Sequence, residues 1–386
     1  MDNQARIDFL KQLIEIDTAG GFEDRLAVVL QSFMQEHDVS CRLLPVMKGR
    51  SNFYAELGDG NNNKVLAFCG HQDVVKTEDP AKWQFPPFSA HIENNRMYGR
   101  GTADMKGGLA AMAIAMAELK DESAGLNGKL ELLGTVAEES SKINHMQGAQ
   151  RFAKDGYVDD LTAAIFAEPT NADIAYAHKG SITYRIDSIG KAAHSSRPDL
   201  GFNAITPLIH FYQEQERYFD ELVAKYENPV LGRVVPVVTK IDGGEQLNAV
   251  PDHAELFVKL RTIPETNNDE IIAHLNRIIA NLNDQDHAQL SIEILGSKIA
   301  VTTERNAEIV AIAQKAAADH LGHSFNVRGI AFGTDASEMT KANRDMDVLV
   351  FGPGNATAHK IDEYIDLDQY LSMIDIYKQI ARDYLK

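Results

Sequence analysis

Lys64-Val65-Leu66-Ala67-Phe68-Cys69-Gly70-His71-Gln72-Asp73 joins a short apolar run to a group of side chains capable of acid–base or metal chemistry. A run this short, without helical spacing, reads as a strand buried on both faces. The same arrangement recurs three times. Leu130–Val136 runs into Ala137-Glu138-Glu139, and Ala163–Phe166 into Ala167-Glu168-Pro169-Thr170. Val348–Phe351 runs into a Gly-Pro-Gly-Asn-Ala-Thr-Ala-His loop ending at His359. Helical stretches separate these strands, notably Leu109–Leu119. Two more open the chain, where Ile7, Leu10, Leu13 and Ile14, then Leu26, Val29, Leu30 and Phe33, follow a helical repeat. Further helices are expected at Asn306–Leu321 and Leu367–Tyr384. The alternation predicts an α/β fold with a mainly parallel sheet covered by helices.

The middle of the chain has a different order. From Gly180 to Leu295 the pattern reads as strand (Ser181–Ile189), helix (Asn203–Ala224), strand (Arg233–Ile241), strand (His253–Arg261), helix (Asn268–Leu282) and strand (Gln289–Leu295). This β-α-β-β-α-β order is ferredoxin-like. The expectation is a catalytic α/β domain, residues 1–178 and 296–386, interrupted by a smaller inserted domain at 179–295.

Composition narrows the function. The 386 residues are 44% hydrophobic and 24% charged, which is ordinary for a globular chain long enough for two domains. With 38 basic and 56 acidic residues the formal charge is -18, which disfavours nucleic acid as a partner. Cys41 and Cys69 are the only cysteines, too few for a disulfide framework or a thiolate zinc site. No apolar run approaches the length of a membrane span, and Met1 to Arg6 lacks the start of a signal peptide. A cytoplasmic location without membrane association is the resulting expectation.

Ligands of open α/β sheets bind beyond the carboxyl ends of the strands. Two histidines and several carboxylates delivered to that edge point to a metal site with nitrogen and oxygen ligands, suited to zinc or a similar divalent ion. Asp104, in Gly99–Gly108 just before a helix, is a further acidic candidate. In extended backbone, residues two apart point the same way, so Asp73 is expected to buttress the His71 ring. Adjacent Glu138 and Glu139 suggest a division of labour, one binding metal and the other accepting a proton from water. Each piece alone has a bland explanation: Glu138-Glu139 as a solvated acidic pair, Asp104 as a helix cap. Their convergence on four strand ends and one helix start argues for a site.

These residues resemble the zinc-dependent aminoacylase, carboxypeptidase G, acetylornithine deacetylase and succinyl-diaminopimelate desuccinylase family. The resemblance rests on Gly-His-Gln-Asp-Val-Val (70–75), Tyr-Gly-Arg-Gly-Thr-Ala-Asp-Met-Lys-Gly-Gly (98–108), Glu-Glu (138–139), Glu-Pro-Thr (168–170) and His359. It spans nearly the whole chain. It implies two zinc ions, with cobalt or manganese as substitutes. His71 and Glu168 would hold one ion, Glu139 and His359 the other, and Asp104 would bridge them. By the same resemblance Asp73 orients His71, Glu138 is the general base, and a cis peptide bond follows Asp104.

Gly-Lys-Ala-Ala-His-Ser-Ser-Arg-Pro (190–198) is similar to the family's lid and dimerisation domain. The likeness implies a homodimer in which His194 stabilises the oxyanion in the partner subunit's site. Gly243-Gly244, Asn248 and Pro251, followed by Arg261, resemble the family's substrate-contacting segment, with Arg261 able to grip a carboxylate. Gly333, Thr334 and Asn355 are further substrate-binding candidates. The segment from Gly352 through Asn355, His359-Lys360 and Glu363 is similar to the desuccinylase ending, whereas Gly333-Thr334-Asp335 departs from its usual Gly-Thr-Ser.

The implied activity is hydrolysis of the amide of a small N-acyl amino acid, with N-succinyl-diaminopimelate ranked ahead of N-acetylornithine. A metallo-dipeptidase or aminopeptidase keeps the same chemistry. A non-catalytic amino-acid-binding protein would have no use for Glu138 as a base.

Overall fold

The computed structural model describes residues 1–139, 146–285 and 288–386, and the chain divides into two compact units. The first comprises Met1–Ala177, Thr302–Gly329 and Thr334–Lys386, and the second His178–Val301 with Ile330–Gly333.

Four parallel strands form the centre of the first unit's sheet, in the order Lys129–Thr135, Val65–His71, Ala163–Phe166 and Asp347–Val350. Every residue of Val65–His71 is buried, the consequence of covering both faces of a parallel sheet. Antiparallel strands extend it: Ser40–Met47 and Arg50–Leu57 on one side, Ile174–His178 on the other. The mixed edges add to the expected parallel pattern and leave its centre intact.

The helix Lys106–Asp121 is buried from Lys106 to Leu119, so its small residues reflect a position inside the unit rather than an amphipathic surface. It packs against the helices Asn3–Ile14 and Leu367–Tyr384 and against the strand Val65–His71. Gly108 permits the closest approach, because a Cβ there would lie 2.3 Å from the Ala167 carbonyl oxygen. That contact brings the start of the helix, and Asp104 before it, against the strand end carrying Glu168. At the far end of the chain Asp366 caps Leu367–Tyr384 by accepting the Gln369 N–H at 3.2 Å.

The second unit contains an antiparallel sheet in the order Val235–Gly243, His253–Thr262, Gly180–Ile189 and Leu290–Lys298. The helices Ile205–Lys225 and Asn268–Gln285 complete the β-α-β-β-α-β succession. Along Gly180–Ile189, Ile182, Tyr184 and Ile186 are buried while Thr183, Arg185 and Asp187 are partly exposed, the period of a one-sided sheet. Tyr184 satisfies its buried hydroxyl by donating to Gln215 Oε1 at 2.8 Å.

Among the described residues, no helix is long and apolar enough to cross a membrane.

Candidate metal centre

The carboxyl ends of the four parallel strands deliver the first unit's reactive side chains to one place. His71 is the last residue of its strand, and Glu138 and Glu139 follow Lys129–Thr135. Glu168 follows Ala163–Phe166, and the loop to His359 follows Asp347–Val350. Asp104 comes from the turn before the buried helix, and the Asp104–Met105 peptide is cis, as the resemblance implied.

Asp104 stands between the two histidines. Its Oδ1 is 3.0 Å from His71 Nε2, and its Oδ2 is 3.1 Å from His359 Nε2. Against the same nitrogen of His71, Glu168 Oε2 lies 3.9 Å from Nε2. Beyond the other oxygen, Glu139 Oε1 lies 2.6 Å from His359 Nε2. Two donor sets result, His71–Asp104–Glu168 and Asp104–Glu139–His359, and within each the ligating atoms fall within 4.8 Å of one another. A third grouping, His71–Glu138–Glu139, puts Glu138 beside both sets. One carboxylate with an oxygen facing each set is the geometry of a bridging ligand.

The electrostatics fit a pair of divalent cations. His71 donates its Nδ1–H to the Asp73 carbonyl oxygen at 2.8 Å. In the neutral ring this leaves the Nε2 lone pair aimed at Asp104, two acceptors that call for a cation between them. Burial opposes charge on Asp104, but with both rings protonated the hydrogen bonds from His359 and His71 prevail and hold its carboxyl below the ordinary range. Burial, reinforced by the Asp104 charge, pushes both Glu139 and Glu168 up. Hydrogen bonds to Asp104 and Glu139 raise His359. Four carboxylates and two imidazoles thus compete for too little positive charge, a deficit that two divalent ions would offset. Imidazole and carboxylate donors suit zinc and also cobalt or manganese.

The role expected of Asp73 needs correction in its atoms. Its carbonyl, not its carboxylate, takes the His71 N–H, and the nearest carboxylate oxygen is 3.8 Å from Nδ1. The carboxylate instead accepts the backbone N–H groups of Glu138 at 3.1 Å and Glu139 at 3.0 Å. The chain leaves strand geometry after His71, which frees Asp73 from the alternation of the strand to turn toward the neighbouring strand end.

Asn355 and Thr334 are occupied locally. Asn355 Oδ1 accepts from the backbone N–H and the hydroxyl of Thr357, and Nδ2 donates to the Tyr364 carbonyl at 2.9 Å, shaping the loop that presents His359. Thr334 is buried at the start of the helix Ala336–Ala342, its hydroxyl accepting the Ala336 N–H. Gly333 belongs to the second unit.

Within the second unit, His194 and Asn248 are exposed neighbours, joined through the Ser195 N–H and the Asn248 carbonyl at 2.9 Å. The Ser196 backbone N–H donates to His194 Nδ1 at 3.2 Å, which leaves the ring proton on Nε2. Arg261 and Lys298 flank Ser181 in register from opposite sides, so both cations share one face of the sheet.

Three buried residues hold the first unit's site together: Glu363, which entered the sequence reading only through the likeness of the His359 segment, and Glu23 and Arg50, which did not enter it. Glu363, fully buried, accepts N–H groups from Gly101, Ala103 and Asp104 at 3.0, 2.8 and 3.0 Å, and Arg100 at 2.5 Å. Buried Glu23 and Arg50 pair with each other beside Asp73. No local pattern marks them.

The profile described as Peptidase family M20/M25/M40 matches residues 67–383. A probable succinyl-diaminopimelate desuccinylase of Staphylococcus aureus (strain MRSA252) is 36% identical, covering 99% of this chain and 98% of its own length. One from Staphylococcus epidermidis (strain ATCC 35984) is 33% identical, covering 100% and 99%. Among solved structures, an M20 family metallo-carboxypeptidase from Sulfolobus solfataricus superposes with a TM-score of 0.83 at 20% identity, covering 100% of this chain and 99% of that one. A dinuclear metal-binding M20 peptidase from Bacillus subtilis gives 0.72 at 16% identity, covering 99% and 98%. Fold, clustered metal-ligating side chains and full-length relatives agree: the chain belongs to peptidase family M20/M25/M40 and is a hydrolase of its metallopeptidase and amidohydrolase class.

Proposed function

We propose that the chain hydrolyses the amide bond of an N-acyl amino acid, with N-succinyl-diaminopimelate as substrate ahead of N-acetylornithine. The observation that carries the chemistry is Asp104 set between two donor groups, with Glu138 beside both. His71 and Glu168 would hold one divalent ion and Glu139 and His359 the other, with Asp104 available to both. Zinc is the first choice. When bound, the ions polarise the scissile carbonyl and acidify water. Glu138 takes the proton from water and returns it to the departing nitrogen. His194 donates its Nε2 proton to the developing oxyanion across a homodimer.

The choice of acyl group rests on the relatives' names, probable desuccinylases matching over the full length. An acidic acyl group also suits the cations Arg261 and Lys298, which share one face in a chain of net charge -18. The homodimer is supported by the edge strand Val235–Gly243, which leaves Val235, Val237 and Ile241 exposed. A small-molecule substrate and a cytoplasmic setting complete the reading.

The test is initial rates on N-succinyl-diaminopimelate, N-acetylornithine and a plain dipeptide, with zinc-loaded and chelated protein. Zinc-dependent preference for the succinyl substrate supports the proposal, whereas cleavage of the dipeptide alone moves the protein to the peptidase side. Glu138→Ala should bind zinc as before and lose turnover at least 100-fold. More than a few per cent residual turnover would remove Glu138 from the role of base.

A further inference from the structure

Glu23, Arg50 and Asp73 come from three distant parts of the chain and meet beneath the Ala137-Glu138-Glu139 turn. Arg50 grips Glu23 through Nε, at 2.9 and 2.8 Å from its two oxygens, and through Nη2. The same Nη2 lies 3.6 Å from Asp73 Oδ2. All three side chains are at most 4% exposed. On the other side of the group, three successive backbone N–H groups point into it. Ala137 donates to Glu23 Oε1 at 3.4 Å, Glu138 to Asp73 Oδ1 at 3.1 Å and Glu139 to Asp73 Oδ2 at 3.0 Å.

Ala137 has φ 62°, a left-handed conformation that a non-glycine residue adopts only when its surroundings demand it. Aiming three consecutive N–H groups at two carboxylates supplies that demand. Two buried carboxylates side by side would repel each other, and the guanidinium set between them is the compensating charge. Remove it and both acceptors are free to turn away from the turn they hold.

We propose that Glu23 and Arg50 are positioning residues for the reaction: through Asp73 they fix the backbone that carries the base Glu138 and the ligand Glu139. This rests on the functional reading above. It adds that the geometry of the Glu139–His359 metal position depends on a buried ion pair linked to Glu139 through Asp73 and the backbone.

The experiment measures zinc affinity by competition with a chromophoric chelator, together with kcat and KM, on the full-length protein. Arg50→Met removes the charge, and Arg50→Lys keeps it without the planar fork that spans two carboxylates. Both should keep the wild-type far-UV spectrum. One of the two zinc ions should bind about 10–100-fold more weakly, with kcat at saturating zinc reduced about tenfold or more and KM within about twofold. Folded Arg50 variants that bind both ions with wild-type affinity and turn over at the wild-type rate overturn the proposal. So does a loss expressed in KM alone. Should the Arg50 variants not fold, Glu23→Gln, which keeps size and one acceptor oxygen, decides on the same measurements. A wild-type protein that binds two zinc ions but hydrolyses no N-acyl amino acid would refute the substrate reading, and chelator competition would still decide the positioning role.

Discussion

Replacing Glu363 with glutamine changes one atom in a side chain with no solvent exposure, and the structure makes its cost calculable. The carboxylate binds three backbone N–H groups through one oxygen and Arg100 through the other. A glutamine oxygen can keep the three N–H groups. Its amide nitrogen then confronts Arg100 Nη1, donor against donor, and the guanidinium, 1% exposed, loses its counter-charge. Breaking a buried pair from one side costs about 3–5 kcal/mol. The remaining hydrogen bonds of Arg100, Nη2 to the Lys76 carbonyl at 3.3 Å and to the His359 carbonyl at 3.5 Å, are long, and neither they nor the Trp83 ring 5.1 Å from the guanidinium carbon can replace the ion pair. Glu363→Gln should therefore destabilise the protein by about 3 kcal/mol or more, measured by urea denaturation. Arg100→Met combined with Glu363→Gln removes the stranded charge and should recover part of that loss. A single variant within about 1 kcal/mol of wild type, or a double variant no more stable than the single, would refute the reasoning.

Two other predictions address the second unit. Burial holds the His178 imidazole at a pKa of about 4, with the nearby charge of Lys298 adding to the effect. The unfolded ring takes a proton near pH 6.5, before the folded one does, so its contribution is complete above that pH and lost as the pH falls toward 4. The loss amounts to about 3 kcal/mol, and His178→Gln should flatten the stability profile in that window; an equally steep acid limb in the variant would exclude His178 as its source. Val237→Lys puts a charge on the exposed edge strand and should convert a dimer to monomer in sedimentation velocity, whereas an unchanged dimer would locate the interface elsewhere.

Most of the first unit's site was legible because each element is short and its message is local. A buried parallel strand announces itself as an apolar run, and whatever follows it stands at the carboxyl edge of the sheet. His71, Glu138, Glu139, Glu168 and His359 were found this way. The helix Lys106–Asp121 was harder to bound, since the expected start at Leu109 ignored glycines that serve as close-packing positions. Asp73 shows the limit of periodicity: alternation predicts a side chain's direction only while the strand lasts.

By itself, the sequence determined the alternation of strands and helices, the ferredoxin-like order of the middle segment, and the kinds of atom offered for metal binding. These follow from patterns spanning a few residues. Only the tertiary structure decided what holds those atoms in place. Glu23 and Arg50 are 27 residues apart, Asp73 and Glu138 are 65 apart, and Glu363 reaches Asp104 across 259. It also decided that Ile330–Gly333 belongs with the second unit. A buried carboxylate is stable only where donors converge on it from every side. That convergence is a property of the folded chain, and no local spacing of residues encodes it.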